Sequence, residues 1–523
     1  MDFIKRTFPI LFGIFLLSVV VRWPQLNRPL SKHHEFCTSI SLRVMQIWYD
    51  NGIAQYGYNP VMTFNNPADK FINNSANQSG RMIDKEGNYY YVSHPPFAYY
   101  FPFVLFKFLH VRPDVLPLQI FNMLLHLISG LFVYFTVCLL SFSRARNLPY
   151  RPGVVAFIIY MFLPVTLWFQ GNVYMSDMAV HTLFIIGVYT ALKMIIRQRF
   201  SSPKYIFLYV AVLALMIYTS WLGVFFAFGV LVYSLLHVRS NKGFGTLIWS
   251  TLVTALVVLR LIVYQYSQIN GVSAYMEEMF SRYIIRGSLE ETNQGLWHFM
   301  FSYMWLVKTV LYNYFIHYIV IYALILIFVW LIISHKKMKI VFSENGYRFI
   351  WLSVTPVILL HVIFLNYSVQ DFSVMYASLF FSVLLGILYD KVKKSGAVSS
   401  PQLRMGLLVT VGLLIIQFQL MNRPAVEGSE KYGIYNEAKA IGEKIKAESK
   451  PDEIVFSNIE EISPQIVFYA QRNIRYAASE ADAVRFLKER KCLQGRIFFA
   501  DKAVTGKPLY QRIEGEAVTL DIF

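Results

Sequence analysis

Apolar residues recur along this chain in runs close to twenty positions long. Runs of that length mark helices that cross a bilayer; a half-buried strand would alternate and a surface helix would show a one-sided stripe. The candidate spans are 8–23, 116–141, 152–171, 177–196, 204–220, 221–238, 246–265, 316–334, 348–366, 372–390 and 404–421, about eleven in all. The run FAYYFPFVLFKFLH at 97–110 contains Pro102 and Lys107. It is too short to span and reads as an interfacial or re-entrant helix.

Charge fixes an orientation. Lys5 and Arg6 precede the first run, and further basic clusters sit at Arg144, Arg146 and Arg151, at Arg197, Arg199 and Lys204, at Arg239 and Lys242, at Lys336, Lys337 and Lys339, and at Lys391, Lys393, Lys394 and Arg404. With an odd number of spans and 97–110 kept out of the count, all of these clusters fall on one side, which the positive-inside rule names cytoplasmic. The opposite side then holds the 24–115 loop, a turn near Asp177, a 266–315 loop and everything after Arg423. The expected architecture is a polytopic α-helical membrane domain, 1–423, followed by an extracytoplasmic α/β domain, 424–523. In that tail, helices at 437–448, 464–471 and 480–490 alternate with strands at 453–457, 496–500 and 518–522.

Composition agrees. Of 523 residues 56% are hydrophobic and only 15% charged, against roughly 25% in soluble domains. The net charge of +17 is distributed as loop clusters between apolar runs, which argues against nucleic acid as the partner. Cys37, Cys138 and Cys492 are the only cysteines and show neither a disulfide framework nor metal spacing. The first run lacks a small-residue cleavage site and is kept as an uncleaved helix. Asn73, Asn77 and Asn366 stand in N-x-S sequons.

The polar 24–115 loop opens SKHHEF. A carboxylate beside a membrane is costly unless it has partners or work, and partial desolvation suits Glu35 to take a proton from an attacking hydroxyl. His33 and His34 offer a metal site, a phosphate contact or a pH switch. His94 precedes Pro95-Pro96, which stiffen the entry to the 97–110 segment. Asp177 is either a capping residue at a helix start or a second acid on the outer face that binds a metal or orients the acceptor. Arg282, Arg286 and Lys308 lie on the outer side against the charge trend and are candidate phosphate ligands, with pairing to Glu277, Glu278, Glu290 and Glu291 as the plainer alternative. Asp371, in NYSVQDFS, caps a turn or lines the cavity. Phosphate-binding glycine loops and nucleophilic Ser or Cys motifs are absent from the sequence.

HHEF at 33–36, SHPPFAYY at 93–100, FQGNVYMSD at 169–177, QDF at 370–372 and FYAQR at 468–472 together resemble the GT-C superfamily of polyprenyl-phosphate-sugar-dependent glycosyltransferases. The likeness is to the protein O-mannosyltransferase and lipid A aminoarabinose transferase branches. It implies an inverting transferase of the bacterial inner membrane. Such an enzyme moves a sugar from a polyprenyl-phosphate donor to a glycan, lipid or protein acceptor on the extracytoplasmic face. The resemblance places Glu35, His34 and Asp177 in catalysis and His94, Arg282, Arg286, Lys308 and Asp371 at the substrate. A divalent metal on His33, His34 and Asp177 is the one cofactor considered. The family's acidic pair reads His34-Glu35 here, so the base is Glu35 or His34. The alternative from another class is a transporter of lipid-linked sugars, for which polar groups in mid-helix are expected.

Overall fold

A computed structural model describes the chain except residues 1–5, 31–32, 68, 71–79, 142–150, 288–295, 335–342, 428–434, 460–461, 490–493, 499–512, 516–517 and 523. Asn73, Asn77, Arg144, Arg146, Lys336, Lys337, Lys339, Glu290 and Glu291 lie outside the described residues. The chain divides into two compact units. One comprises Met1–Leu26, Gln119–Ile262 and Phe280–Arg423, and the other Asn27–Leu118, Val263–Met279 and Pro424–Phe523.

The helices are α1 (Phe8–Arg22), α2 (Glu35–Asn51), α3 (Phe97–Phe108), α4 (Val115–Leu140), α5 (Arg151–Phe162), α6 (Pro164–Phe169), α7 (Ser176–Ile196), α8 (Pro203–Ile217), α9 (Trp221–His237), α10 (Gly243–Gly287), α11 (Leu296–Ser334), α12 (Glu344–Ile363), α13 (Leu365–Ser368), α14 (Ser378–Ser395), α15 (Ser400–Glu427), α16 (Tyr435–Glu448), α17 (Pro464–Ala470) and α18 (Glu480–Glu489). Eight helical segments among the described residues are long and apolar enough to cross a membrane: Phe8–Gln25, Val115–Leu140, Ser176–Ile196, Gly243–Gly287, Met300–Ser334, Glu344–Ile363, Asp371–Ser395 and Ser400–Asn422. The protein is an integral membrane protein. Three further expected runs form the shorter apolar helices α5, α8 and α9. The run expected as one helix over 152–171 breaks at Leu163, because Pro164 has no N–H to continue the ladder and starts α6 instead.

Close helix approach fixes the packing of the first unit. A Cβ on Gly386 of α14 would lie 2.8 Å from the Pro152 carbonyl oxygen and 3.0 Å from the Ala156 Cβ of α5. Only a glycine lets these two helices meet.

Two expectations about loops are corrected. The 266–315 segment is largely helical: α10 runs on past the apolar run to Gly287, and α11 begins at Leu296. A break at Asn270 and Gly271, the latter at φ +89°, bends α10 where its apolar part ends. The 24–115 loop contains α2, buried on every side from Thr38 to Trp48, with Glu35, Thr38, Ser39, Ser41, Arg43 and Gln46 among its buried residues. So polar a helix gives no hydropathy signal.

In the second unit the tail forms a five-stranded sheet of β1 (Ile454–Ser457), β2 (Ile474–Tyr476), β3 (Gln494–Phe498), β4 (Ile513–Gly515) and β5 (Val518–Ile522). The order is β2-β1-β3-β5-β4, parallel except for the β4 edge. Strands β2 and β4 are too short for a sequence pattern to reveal. Ile445, Val455, Ile466, Val467, Ala470 and Ile474 form the core under α16 and α17, with Phe64 of the long loop packed on it. Polar bonds join the same pieces. The Asn473 amide donates to the Phe64 and Asp69 carbonyl oxygens, and Arg475 grips the Asp69 carboxylate at 2.8 and 3.1 Å.

Candidate functional site

Within the second unit the chemistry gathers at the start of α2. His34 precedes the helix with φ +57°. Left-handed backbone in a residue with a Cβ is strained, and such strain persists where surrounding structure holds it, often at functional sites. The His33 and His34 rings lie 5.1 Å apart. Glu35, the first residue of α2, is 1% exposed. Its carboxylate is held at both oxygens by Arg28, Nη1 to Oε2 at 2.9 Å and Nη2 to Oε1 at 3.0 Å. The helix dipole adds to this stabilisation of negative charge. Nearby, Tyr469 of α17 accepts the Leu30 N–H at 3.0 Å. His94 is buried, its ring near Tyr91, and its carbonyl oxygen accepts the Tyr266 hydroxyl at 2.7 Å.

Within the first unit the centre is Asp177, in the first turn of α7 and 1% exposed. The hydroxyls of Tyr367 and Tyr376 both donate to its Oδ1, and the Ser176 hydroxyl lies 3.3 Å from Oδ2. The two tyrosines come from either end of the α13 and Asp371–Ala377 turn, which folds back on itself. Arg286, near the end of α10, lies 5.2 Å over the Tyr367 ring. Burial first, and then the Asp177 charge, push the Tyr367 hydroxyl well above its ordinary pKa, so it remains a proton donor. Asp371, on the same turn, faces His317, Nε2 to Oδ2 at 3.8 Å. Arg282 lies one turn before Arg286 on α10, and Lys308 lies on α11.

A second polar group lies deep among the helices of this unit. Arg22 is fully buried and donates to the Ser18 hydroxyl and carbonyl oxygens, the Gln170 carbonyl oxygen and His126 Nδ1, the last at 3.2 Å. His126 therefore carries its proton on Nε2, which faces the Tyr160 carbonyl oxygen at 3.3 Å. The Tyr160 hydroxyl donates to Gln170 and lies 3.1 Å from His181 Nε2. Sequence reasoning missed this group because each member stands alone in an apolar run.

The metal expectation divides. His33 and His34 are adjacent imidazoles, a donor pair that suits a divalent ion. Asp177 belongs to the first unit, where its Oδ1 accepts two hydroxyls and its Oδ2 has the Ser176 hydroxyl at 3.3 Å. No reaction step is routed through a metal here.

No family model matches the chain, and no curated protein matches it in sequence. Solved structures do match its fold. ArnT from Cupriavidus metallidurans bound to undecaprenyl phosphate aligns with a TM-score of 0.58 at 14% identity, over 94% of this chain and 90% of that one. The oligosaccharyltransferase AglB from Archaeoglobus fulgidus, in complex with an inhibitory peptide and a dolichol-phosphate, aligns with a TM-score of 0.52 at 11% identity. That match covers 96% of this chain and 70% of AglB. An oligosaccharyltransferase from Archaeoglobus fulgidus tethered with an acceptor peptide gives 0.56 at 10% identity, over 94% of this chain and 69% of that one. The chain shares its overall fold with ArnT and AglB.

Proposed function

We propose that the protein is an inverting glycosyltransferase that takes a sugar from a polyprenyl-phosphate donor and passes it to an acceptor hydroxyl on the extracytoplasmic face of a bacterial inner membrane. The observation that carries this reading is the buried Asp177 carboxylate, held by two tyrosine hydroxyls beside Arg286. It supplies an acid and a cation in a fold whose structural relatives were solved with undecaprenyl phosphate and dolichol-phosphate. Fold alone does not carry function; the charged groups supply the chemistry.

The acceptor oxygen attacks the anomeric carbon as the carbon–oxygen bond to the lipid phosphate breaks. The leaving phosphate gains negative charge, which Arg286 stabilises together with Arg282 and Lys308. The acceptor proton goes to a carboxylate. Asp177 Oδ2 has only the long Ser176 contact, and so has a lone pair to give. At Glu35 both oxygens are engaged by Arg28, and one of those bonds must open first. We therefore assign the base to Asp177. Glu35 as base, or His34 in its place, is the alternative drawn from the sequence. His94 and Asp371 are assigned to substrate positioning. The tail after Arg423 is assigned to the outer side as the domain that shapes acceptor access.

The test is release of polyprenyl phosphate from a lipid-linked sugar by purified full-length protein. Wild type is expected to release it in the presence of acceptor, and Asp177→Asn is expected to bind donor without releasing it. Failure of wild type with mannosyl, glucosyl and aminoarabinosyl donors alike would overturn the reading.

A further inference from the structure

A cavity of about 280 Å³ opens in the second unit where the loop at Arg28, the α2 face at Gln46, the 112–115 segment, α16 and the end of α17 converge. Its wall is polar and its cations exceed its acids: Arg28, Arg112, Lys439 and Lys446 against Asp114 and Glu443. Three of the cations have carboxylate partners, Arg28 with Glu35, Arg112 with Asp50 at 2.8 Å and Lys439 with Glu443 at 3.7 Å. Lys446 forms no ion pair among the described residues. Burial lowers its pKa and the charges of Arg112 and Arg472 lower it further, against the opposing pull of Glu443 and Asp50.

The remaining polar groups ask for a hydroxylated ligand. Gln46, 3% exposed, donates its amide to the Pro113 carbonyl oxygen at 2.9 Å, which fixes the orientation of the amide and leaves Oε1 without a donor. Tyr469 accepts the Leu30 N–H, so its own proton is left to give. A buried acceptor without a donor is costly until something entering the cavity supplies one. The volume sits just below the roughly 300–1,000 Å³ of sites that enclose drug-sized molecules, which matches one sugar ring with a small charged group and excludes an oligosaccharide.

We propose that this cavity binds a single anionic sugar residue, its carboxylate or phosphate on Lys446 and Arg112 and its hydroxyls on Gln46 and Tyr469. All of its lining residues belong to the second unit, and none belongs to the Asp177 cluster. The proposal deepens the glycosyltransferase reading by giving the enzyme a second place to hold a charged glycan. It rests on that reading only for its purpose, not for its chemistry.

The test is saturation-transfer NMR and calorimetry on the full-length protein in detergent, with glucuronate, glucose 6-phosphate, glucose and inorganic phosphate as probes. Both anionic sugars are expected to bind at least about tenfold more tightly than glucose or phosphate alone. Lys446→Glu, at an exposed position, should weaken them by about tenfold or more. Tyr469→Phe should weaken them about three- to tenfold, the worth of one hydrogen bond. Both variants should release lipid phosphate from donor with a small neutral acceptor as wild type does, which keeps this test separate from that of the transfer reaction. Methyl glucuronide separates the two sources: equal binding assigns the site to a sugar linked in a glycan, and loss of binding to a free sugar acid. Binding of phosphate as tight as that of glucose 6-phosphate, or indifference to Lys446→Glu, would overturn the proposal.

Discussion

Arg28 closes on Glu35 through both arms of its guanidinium, and holds the buried carboxylate at the first turn of α2. A carboxylate gripped at two oxygens is stabilised as an anion and anchors the loop before the helix. Removing one partner of such a pair strands the other charge, at a typical cost of about 3–5 kcal/mol. Arg28→Met and Glu35→Gln are each expected to lower the thermal unfolding midpoint sharply, and the double variant to be less damaged than the sum of the two. Strict additivity in that cycle would show that the two side chains do not depend on each other.

Asp177→Asn keeps shape and loses the proton acceptor. Loss of a general base costs about 10²–10⁴ in rate, and we expect that fall in kcat with donor affinity kept. Tyr367→Phe and Tyr376→Phe each remove one donor to Oδ1 and should cost less. Glu35→Gln, corrected for the fraction folded, should retain more activity than Asp177→Asn. The reverse ranking would return the base to Glu35.

Arg43 tests the opposite sign. It is fully buried on α2, its Nε and Nη1 have no hydrogen-bond partner, and its Nη2 reaches only the Met62 sulfur at 3.5 Å. Burial pushes its guanidinium down to about 10, so it stays charged in the folded and unfolded chain at neutral pH, and its desolvation opposes folding. Arg43→Met is expected to raise the unfolding midpoint, in line with the roughly 1–4 kcal/mol gained when buried charges give way to apolar groups of similar volume. A fall would assign Arg43 a partner that binding brings.

Cysteine labelling checks the orientation. A cysteine placed at Lys393 and one placed at Lys450 in the tail should react from opposite faces of a sealed membrane. Labelling of both from one face would remove the extracytoplasmic assignment of the tail.

Much of this was legible in the chain itself. Long apolar runs need no tertiary context to be recognised, and they located α1, α4, α7, α12, α14 and α15. The tail helices and the strands β1, β3 and β5 followed from ordinary patterns. Asp177 stands out as an acid at the outer start of an apolar helix, where it is either a cap or a second acidic group. Its tyrosine partners were hidden, since Tyr367 and Tyr376 look like any aromatic residues until the 371–377 turn brings both hydroxyls to one oxygen. The second half of α10 was read as loop because Glu277, Glu278, Arg282 and Arg286 end the apolar run, although a helix needs no apolar run to continue. The Arg22, His126 and His181 group bears on the transporter alternative, which called for polar residues within helices. Its donors end on neighbouring helices, as a packing device would. Protein reconstituted in vesicles is accordingly expected to leave a lipid-linked sugar on the leaflet where it was placed, and rapid exchange between leaflets would favour transport.

The measurement closest to the central claim is the stereochemistry of the product. A polyprenyl-phosphate sugar of known anomeric configuration, incubated with the full-length protein and a hydroxyl acceptor, is expected to yield free polyprenyl phosphate and a glycoside of the opposite configuration by NMR. A product that keeps the donor's configuration, or an intact donor after prolonged incubation, would contradict the account.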